Sequence, residues 1–310
     1  VAYLLEDIKA VKKEKDSTKK DTIKTKDKKS KKSKKVGKDN GYHLVLRDLN
    51  TTKQDTFKFV TEYLFAKEGK RLAFTTTGVD STVNAGIYVL NLENKQLTAV
   101  FEADEKAKYY QLNFSDSGKN LGFVADLDTT KVQVRPNELF YWTEGKSTAQ
   151  KMLDANSAPK GYRVSSDGNV YFSKDETKLY FGLAKPPIVK DTTLLDEEIV
   201  NVEVWTYDEP RLYTVQELQV KNDAKESYVT AIHLATNKLV QLGSIEYPDT
   251  RIGDEGNAEF ALLSNPEPYL LESQWTGNSA RDYAIVNTNT GNITNILTKI
   301  SGRVSLSPKA

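Results

Sequence analysis

Serine, histidine, acidic and aromatic residues are all present, so their spacing decides what chemistry is open to this chain. A serine hydrolase of the α/β type needs Gly-x-Ser-x-Gly after a buried strand, because small residues allow the sharp turn that presents the Ser. No such run occurs. Gly277-Asn278-Ser279-Ala280-Arg281 lacks the second Gly and follows a Trp-containing turn. His43 and His233 are the only candidate bases for a triad. Both fall within expected outer hairpins, where a strand His is a surface or packing residue. No catalytic residue is assigned. Asp126 and Asp128, with Asp196, Glu197 and Glu198, are acid pairs of a type used in hydrolysis or Ca²⁺ binding. The calcium-loop pattern with its central Gly and terminal Glu is absent, so they read as loop carboxylates, and neither metal nor cofactor is expected. "GYRVSSDG" and "RIGDEGN" carry glycines without a following helical pattern, which reads as turns rather than a phosphate-binding loop. Trp205, Tyr207 and Arg211 form an aromatic strand leading into a charged turn, an arrangement able to face a cavity and touch a peptide. Core packing is the competing reading of Trp205.

The elements that would position such residues are repeated along the chain. "YLFAKEGKRLAF", "NFSDSGKNLGF" and "VYFSKDETKLYF" each set two Phe nine positions apart, at Phe65/Phe74, Phe114/Phe123 and Phe172/Phe181, around a polar turn. "FALLSNPEPYLL", Phe260 to Leu271, reads as a degenerate fourth copy. A second unit alternates with the first: an apolar strand, a turn of Asn, Thr or Gly, and a short strand. It appears as "YHLVLRDLNTTKQDTF", "GIYVLNLENKQLTAVF", "ELFYWTEGKSTAQKML", "YVTAIHLATNKLVQLG" and "DYAIVNTNTGNITNIL". One unit plus the next offers four short strands, the content of a propeller blade. The expected fold is therefore all-β: an incomplete β-propeller of about five four-stranded antiparallel blades. The blade map is an incomplete first blade at 1–57, then 58–101, 109–153, 169–242, 259–297 and a sixth begun at 300, with an insertion around Pro186 to Gln219. The paired Phe are expected to fill the layers between blades, because one sheet cannot bury both of its faces alone.

At 310 residues the chain can bury a sizeable core, and 16 Tyr, 11 Phe and 3 Trp against one Met favour strands. It has no Cys, so disulfides and thiolate metal sites are excluded. No apolar run is long enough for a transmembrane helix. The net charge of +1 hides an asymmetry: between Lys9 and Lys38 fifteen Lys face four acids, a local +11 that leaves about −10 on the rest. Phosphate or anionic-lipid binding is one reading of this tract. It lacks aromatic residues to stack, so a solvated loop is preferred, and no nucleic-acid partner or membrane span is expected. The start at Val1 and the break after "RVSLSPKA" suggest a piece excised from a larger protein.

The run Glu197 to Gln216, "EEIVNVEVWTYDEPRLYTVQ", resembles a blade segment of bacterial prolyl oligopeptidase family proteins, with Trp205, Tyr207, Asp208, Leu212 and Gln216 at the pattern positions. The Gly-Lys-x-Leu units and the final "LSP" also resemble that family's propeller repeats, which recur in Tol-type periplasmic propellers too. The resemblance implies a non-catalytic propeller that restricts access to an α/β-hydrolase domain lying outside this sequence, with a peptide as substrate. It implies Trp205, Tyr207, Asp208, Arg211 and Gln216 as substrate contacts and a periplasmic or extracellular setting. The alternative is a stand-alone periplasmic or surface propeller that binds a protein or glycan.

Overall fold

The computed structural model describes residues 1–5, 34–79, 83–189, 191–195, 197–198, 202 and 206–307. Among these residues, four antiparallel sheets follow one another. The first contains β1 (Ala2–Leu5), β2 (Tyr42–Arg47), β3 (Gln54–Phe65), β4 (Arg71–Thr76), β5 (Gly86–Asn91) and β6 (Leu97–Glu102). The second contains β7 (Lys108–Phe114), β8 (Asn120–Asp126), β9 (Asn137–Thr143) and β10 (Gln150–Leu153). The third contains β11 (Arg163–Val164), β12 (Tyr171–Phe172), β13 (Lys178–Ala184), β14 (Tyr228–His233) and β15 (Lys238–Gln241). The fourth contains β16 (Asp249–Ile252), β17 (Phe260–Asn265), β18 (Arg281–Asn287) and β19 (Ile293–Ile300). Among the described residues two α-helices interrupt the strands: α1 (Tyr213–Asp223) between β13 and β14, and α2 (Leu270–Thr276) between β17 and β18.

The all-β expectation holds at the level of antiparallel sheets, and the five expected hairpins form as β2–β3, β5–β6, β9–β10, β14–β15 and β18–β19. Strand number per sheet differs from the uniform four. The first sheet has six strands because β3 is twelve residues long and serves two neighbours: its first half pairs β2 and its second half pairs β4. The change of partner occurs at an irregularity where Phe59 takes a left-handed φ of 56° and the β4 register slips between Val60 and Glu62. In the third sheet the inner strand is broken into β11 and β12, both paired to β13. Phe260 to Leu271 is a strand followed by a helix rather than a fourth strand-turn-strand copy. Pro266 and Pro268 cannot continue a ladder, and β17 pairs back to β16 instead.

Alternation along each strand buries both faces of the inner sheets. In β8, Leu121, Phe123 and Ala125 pack towards Ile87 and Val89 of the first sheet, while Val124 points the other way, towards Phe172, Leu179 and Phe181. In β13, Leu179, Phe181 and Leu183 face the second sheet and Tyr180 faces Ala261, Leu263 and Val286 of the fourth. A further cluster folds Leu44 and Leu46 of β2 over Leu72, Phe74 and Leu90. Each such fully buried Phe or Leu contributes ~1.5–3 kcal/mol of transfer free energy.

The polar turns inside the Phe-to-Phe units latch each sheet to the next. Lys67 meets Asp116 at 2.8 Å, and Lys174 meets Glu255 at 2.6 Å. Glu176 accepts from the Ser117 amide at 2.7 Å, the Ser117 hydroxyl at 2.9 Å and the Asn120 Nδ2 at 2.6 Å. The turns share one backbone shape. Gly69, Gly118 and Glu176 occupy the same place in the repeat, with φ of 69°, 67° and 58°, and their amides donate to the carbonyls of Ala66, Ser115 and Ser173. With these ends aligned, the longer connections between β4 and β5, β8 and β9, β13 and β14, and β17 and β18 all lie at the opposite end.

Candidate functional site

At that opposite end the connections differ greatly in length. The β8–β9 loop is closed on itself: buried Asp126 accepts from Arg135 Nε at 2.5 Å, and the same guanidinium donates to the carbonyls of Thr130 and Asp128. Asp128 accepts from the amide and hydroxyl of Thr130, both at 2.6 Å, and these bonds hold its carboxyl below the usual range. Asp126 and Asp128 are therefore spent on loop geometry. Glu198 accepts from the Leu195 amide, and Asp196 lies outside the described residues. Among the described residues no cluster of acids and histidines could hold a metal ion. His43 rests edge-on against Phe59, and His233 pairs through Nε2 with the Thr288 carbonyl at 3.1 Å, so the two histidines sit on different sheets in structural contacts.

The β13–β14 and β17–β18 connections are the long ones, and they meet. Gln274 Nε2 donates to the Pro210 carbonyl at 2.6 Å, joining segments 64 residues apart. Between them lies a cleft of about 230 Å³, lined by Tyr207, Arg211, Gln216, Leu271 and Trp275 among others. Tyr207 and Trp275 stand at its lips with 95% and 85% of their surface exposed, a costly placement for large rings unless something covers them.

Both walls of the cleft have identifiable supports. Residues 213–223 lack Gly and Pro, so nothing in this stretch breaks α1; Gln216, read from the sequence as following a strand, sits on a helix. Arg211 makes a two-pronged pair with Asp223, Nη1 to Oδ1 at 3.0 Å and Nη2 to Oδ2 at 2.8 Å, tying the far end of α1 back to the loop before it. The bond lowers the Asp223 carboxyl and raises Arg211. Gln216 Nε2 donates to the Arg211 carbonyl at 2.8 Å and contacts Glu209 at 3.3 Å. On the other wall, Tyr269 donates to Asp282 at 2.7 Å and Lys299 pairs with Glu272 at 2.8 Å, fixing α2 to the fourth sheet. Gly277, with φ of 71°, ends α2 immediately after Trp275 and Thr276.

Of the five contact residues expected from the sequence, Tyr207, Arg211 and Gln216 come together in this cleft. Asp208 is exposed and does not line it, and Trp205 lies outside the described residues. Leu271, Gln274 and Trp275 were not expected. A large aromatic two residues before a helix-ending Gly was the available sign, but nothing in the sequence linked it to residues some sixty positions earlier. No helix among the described residues is long and apolar enough to cross a membrane.

No family model matches the chain, and no curated protein matches it. Solved structures to which the chain is similar include TolB from Acinetobacter baumannii, at 14% identity and a TM-score of 0.35, over 82% of this chain and 48% of that one. Another is the β-propeller domain of the Trilobed protease from Pyrococcus furiosus, at 12% identity and a TM-score of 0.40, over 84% and 66% of the two chains. A prolyl endopeptidase is similar at 9% identity and a TM-score of 0.41, over 84% and 32%. The chain thus spans about half the length of the TolB structure. Likenesses of this size fix neither a family nor a function.

Proposed function

We propose that this chain is a non-catalytic β-propeller portion that binds an extended peptide in the cleft between its two long connections. The propeller reading is supported by the serial face-to-face packing of four antiparallel meanders, each covered by the next and latched turn to turn. The binding reading rests on one observation: Tyr207 and Trp275, almost fully exposed, flank a cleft floored by Leu271 and edged by the amides of Gln216 and Gln274. Aromatic faces beside amide groups suit a peptide, which presents apolar side chains and backbone N–H and C=O together. The segment that resembles the prolyl oligopeptidase propellers supplies one wall of this cleft. On that basis the peptide is a substrate on its way to a hydrolase domain, in a periplasmic or extracellular setting. A stand-alone propeller binding a protein or glycan is the other role, and the same cleft serves it.

The test is binding of a fluorescein-labelled Pro-Ala-Leu peptide to the purified chain, followed by anisotropy. Trp275→Ala and Tyr207→Ala should each weaken binding by roughly tenfold. Unchanged affinity in both would refute the cleft. Preference for an oligosaccharide over the peptide would move the role to the glycan-binding alternative. Labelling of the purified chain by a fluorophosphonate would overturn the non-catalytic assignment.

A further inference from the structure

A second cleft, of about 640 Å³, opens on the other side of the α2 connection. Its walls come from three separate elements of the fourth sheet and from the chain that follows it. Arg251 lies on β16, Arg281 and Tyr283 lie on β18, Asn278 and Ser279 precede β18, and Arg303 follows β19. Arg281 and Tyr283 are two apart on one strand and so share a face. Asp249 and Arg251 share that same face across the register Asp249–Ser264–Tyr283. It is the face turned away from the third sheet, because Ala261, Leu263 and Ala284 point the opposite way into the shared core.

The charge of this cleft is unbalanced. Arg281 is held by Asp249 and by the Ser264 hydroxyl at 3.2 Å. Arg251 and Arg303 make no ion pair with any described residue, and no carboxylate is among the described residues that line the cleft. Tyr283 donates to the Gly302 carbonyl at 3.2 Å, which holds the segment carrying Arg303 over the sheet. Outside the Lys-rich tract the chain is strongly acidic, at about −10. With Arg281 neutralised by Asp249, the guanidinium groups of Arg251 and Arg303 leave uncompensated positive charge in the cleft, and like charges gathered in one cleft gain from an anion between them.

We infer that this cleft binds the carboxylates of an acidic peptide segment, an inference that rests on the peptide reading of the neighbouring Trp275 cleft and extends it. The two clefts share one connection: residues 271, 274 and 275 line the first, and 277–279 line the second. A peptide whose apolar part lies between Tyr207 and Trp275 reaches the arginines by passing the end of α2. Arg guanidinium matches carboxylate oxygens in a two-pronged fork, which gives this cleft a preference for Glu or Asp over their amides. A long polyanion such as nucleic acid is opposed by the acidic remainder of the surface.

The experiment uses the full chain and two fluorescein-labelled peptides with the same Pro-Ala-Leu leader, one ending in a run of Glu and one in a run of Gln. Anisotropy at low salt should show the Glu peptide binding roughly tenfold or more tighter, with the preference shrinking at ~0.5 M salt. Arg251→Gln combined with Arg303→Gln should erase the preference and leave the Gln peptide unaffected. Both residues are exposed, so an unchanged melting temperature should show that the fold survives. Equal affinity for the two peptides, or a preference that survives the double substitution, would overturn the inference. Failure here is separable from failure of the first cleft, because Trp275→Ala is read on the Gln peptide, whose binding does not involve the arginines.

Discussion

Glu176 offers a way to weigh the latch between the second and third sheets against the backbone shape it costs. It stands at φ 58°, where the two matching turns carry Gly69 and Gly118. A residue with a Cβ loses roughly 1–2 kcal/mol in that region. Its carboxylate accepts three hydrogen bonds from Ser117 and Asn120, and Asn120 in turn accepts from Tyr141 at 2.8 Å. Bonds to a charged acceptor contribute about 1.5–3 kcal/mol each when buried. Here the group is only partly buried and water replaces some of the loss, so the set is worth about 2–3 kcal/mol. Glu176→Ala removes the latch and keeps the strain, so it should destabilise by that amount. Glu176→Gly removes both, with the gain in turn geometry reduced by about 0.4–1 kcal/mol for the freer unfolded chain. The Gly variant should therefore be more stable than the Ala variant by about 0.5–1 kcal/mol, while remaining below the parent. Urea titrations followed by fluorescence, with unchanged m-values, supply the comparison. An Ala variant as stable as the parent, or a Gly variant less stable than Ala, would refute the reasoning.

Replacing Phe123 by Ala, which empties a fully buried position between the first and second sheets, should cost about 3–5 kcal/mol, against about 1 kcal/mol for Ser115→Ala, both read from the same titration. Tyr171, stacked on Tyr180 between the third and fourth sheets, has its hydroxyl pushed up to about 12 by burial. The folded value lies above the unfolded value of about 10, so its contribution is complete below pH ~10 and is lost as pH rises through 12. Tyr171→Phe should flatten the fall in melting temperature over that window, and an unaltered slope would count against burial as its cause. In the first cleft, Tyr207→Ala and Trp275→Ala should leave the melting temperature nearly unchanged because both rings are exposed, while weakening peptide binding.

Local rules carried much of the architecture. Strand-turn-strand units repeat because each needs the same few things: alternating apolar residues, a polar turn, and a residue tolerant of positive φ at its fifth position. The first two are visible in any single copy, and the five hairpins follow from them. The third copy's Glu176 looked like an ordinary turn residue, and only packing showed that its side chain reaches Ser117, 59 positions earlier. The six-stranded first sheet was equally hidden. Whether β3 ends one sheet or bends into the next depends on which partners lie on its two edges, and a strand's own residues do not encode its partners.

The site divides in the same way. Sequence alone supplied Tyr207, Arg211 and Gln216 as an aromatic and polar group within ten residues, and it supplied the absence of a nucleophile elbow. It did not supply α1, whose exposed length has no buried face and hence no apolar periodicity to read. Nor did it supply Trp275, or the convergence of Arg251, Arg281 and Arg303. The arginines meet through strand pairing within the fourth sheet, whereas the Trp275 cleft depends on stacking. Because successive sheets are latched at one end, their longest connections emerge side by side at the other, and side chains far apart in the chain become neighbours through the geometry of the layers rather than through any local preference.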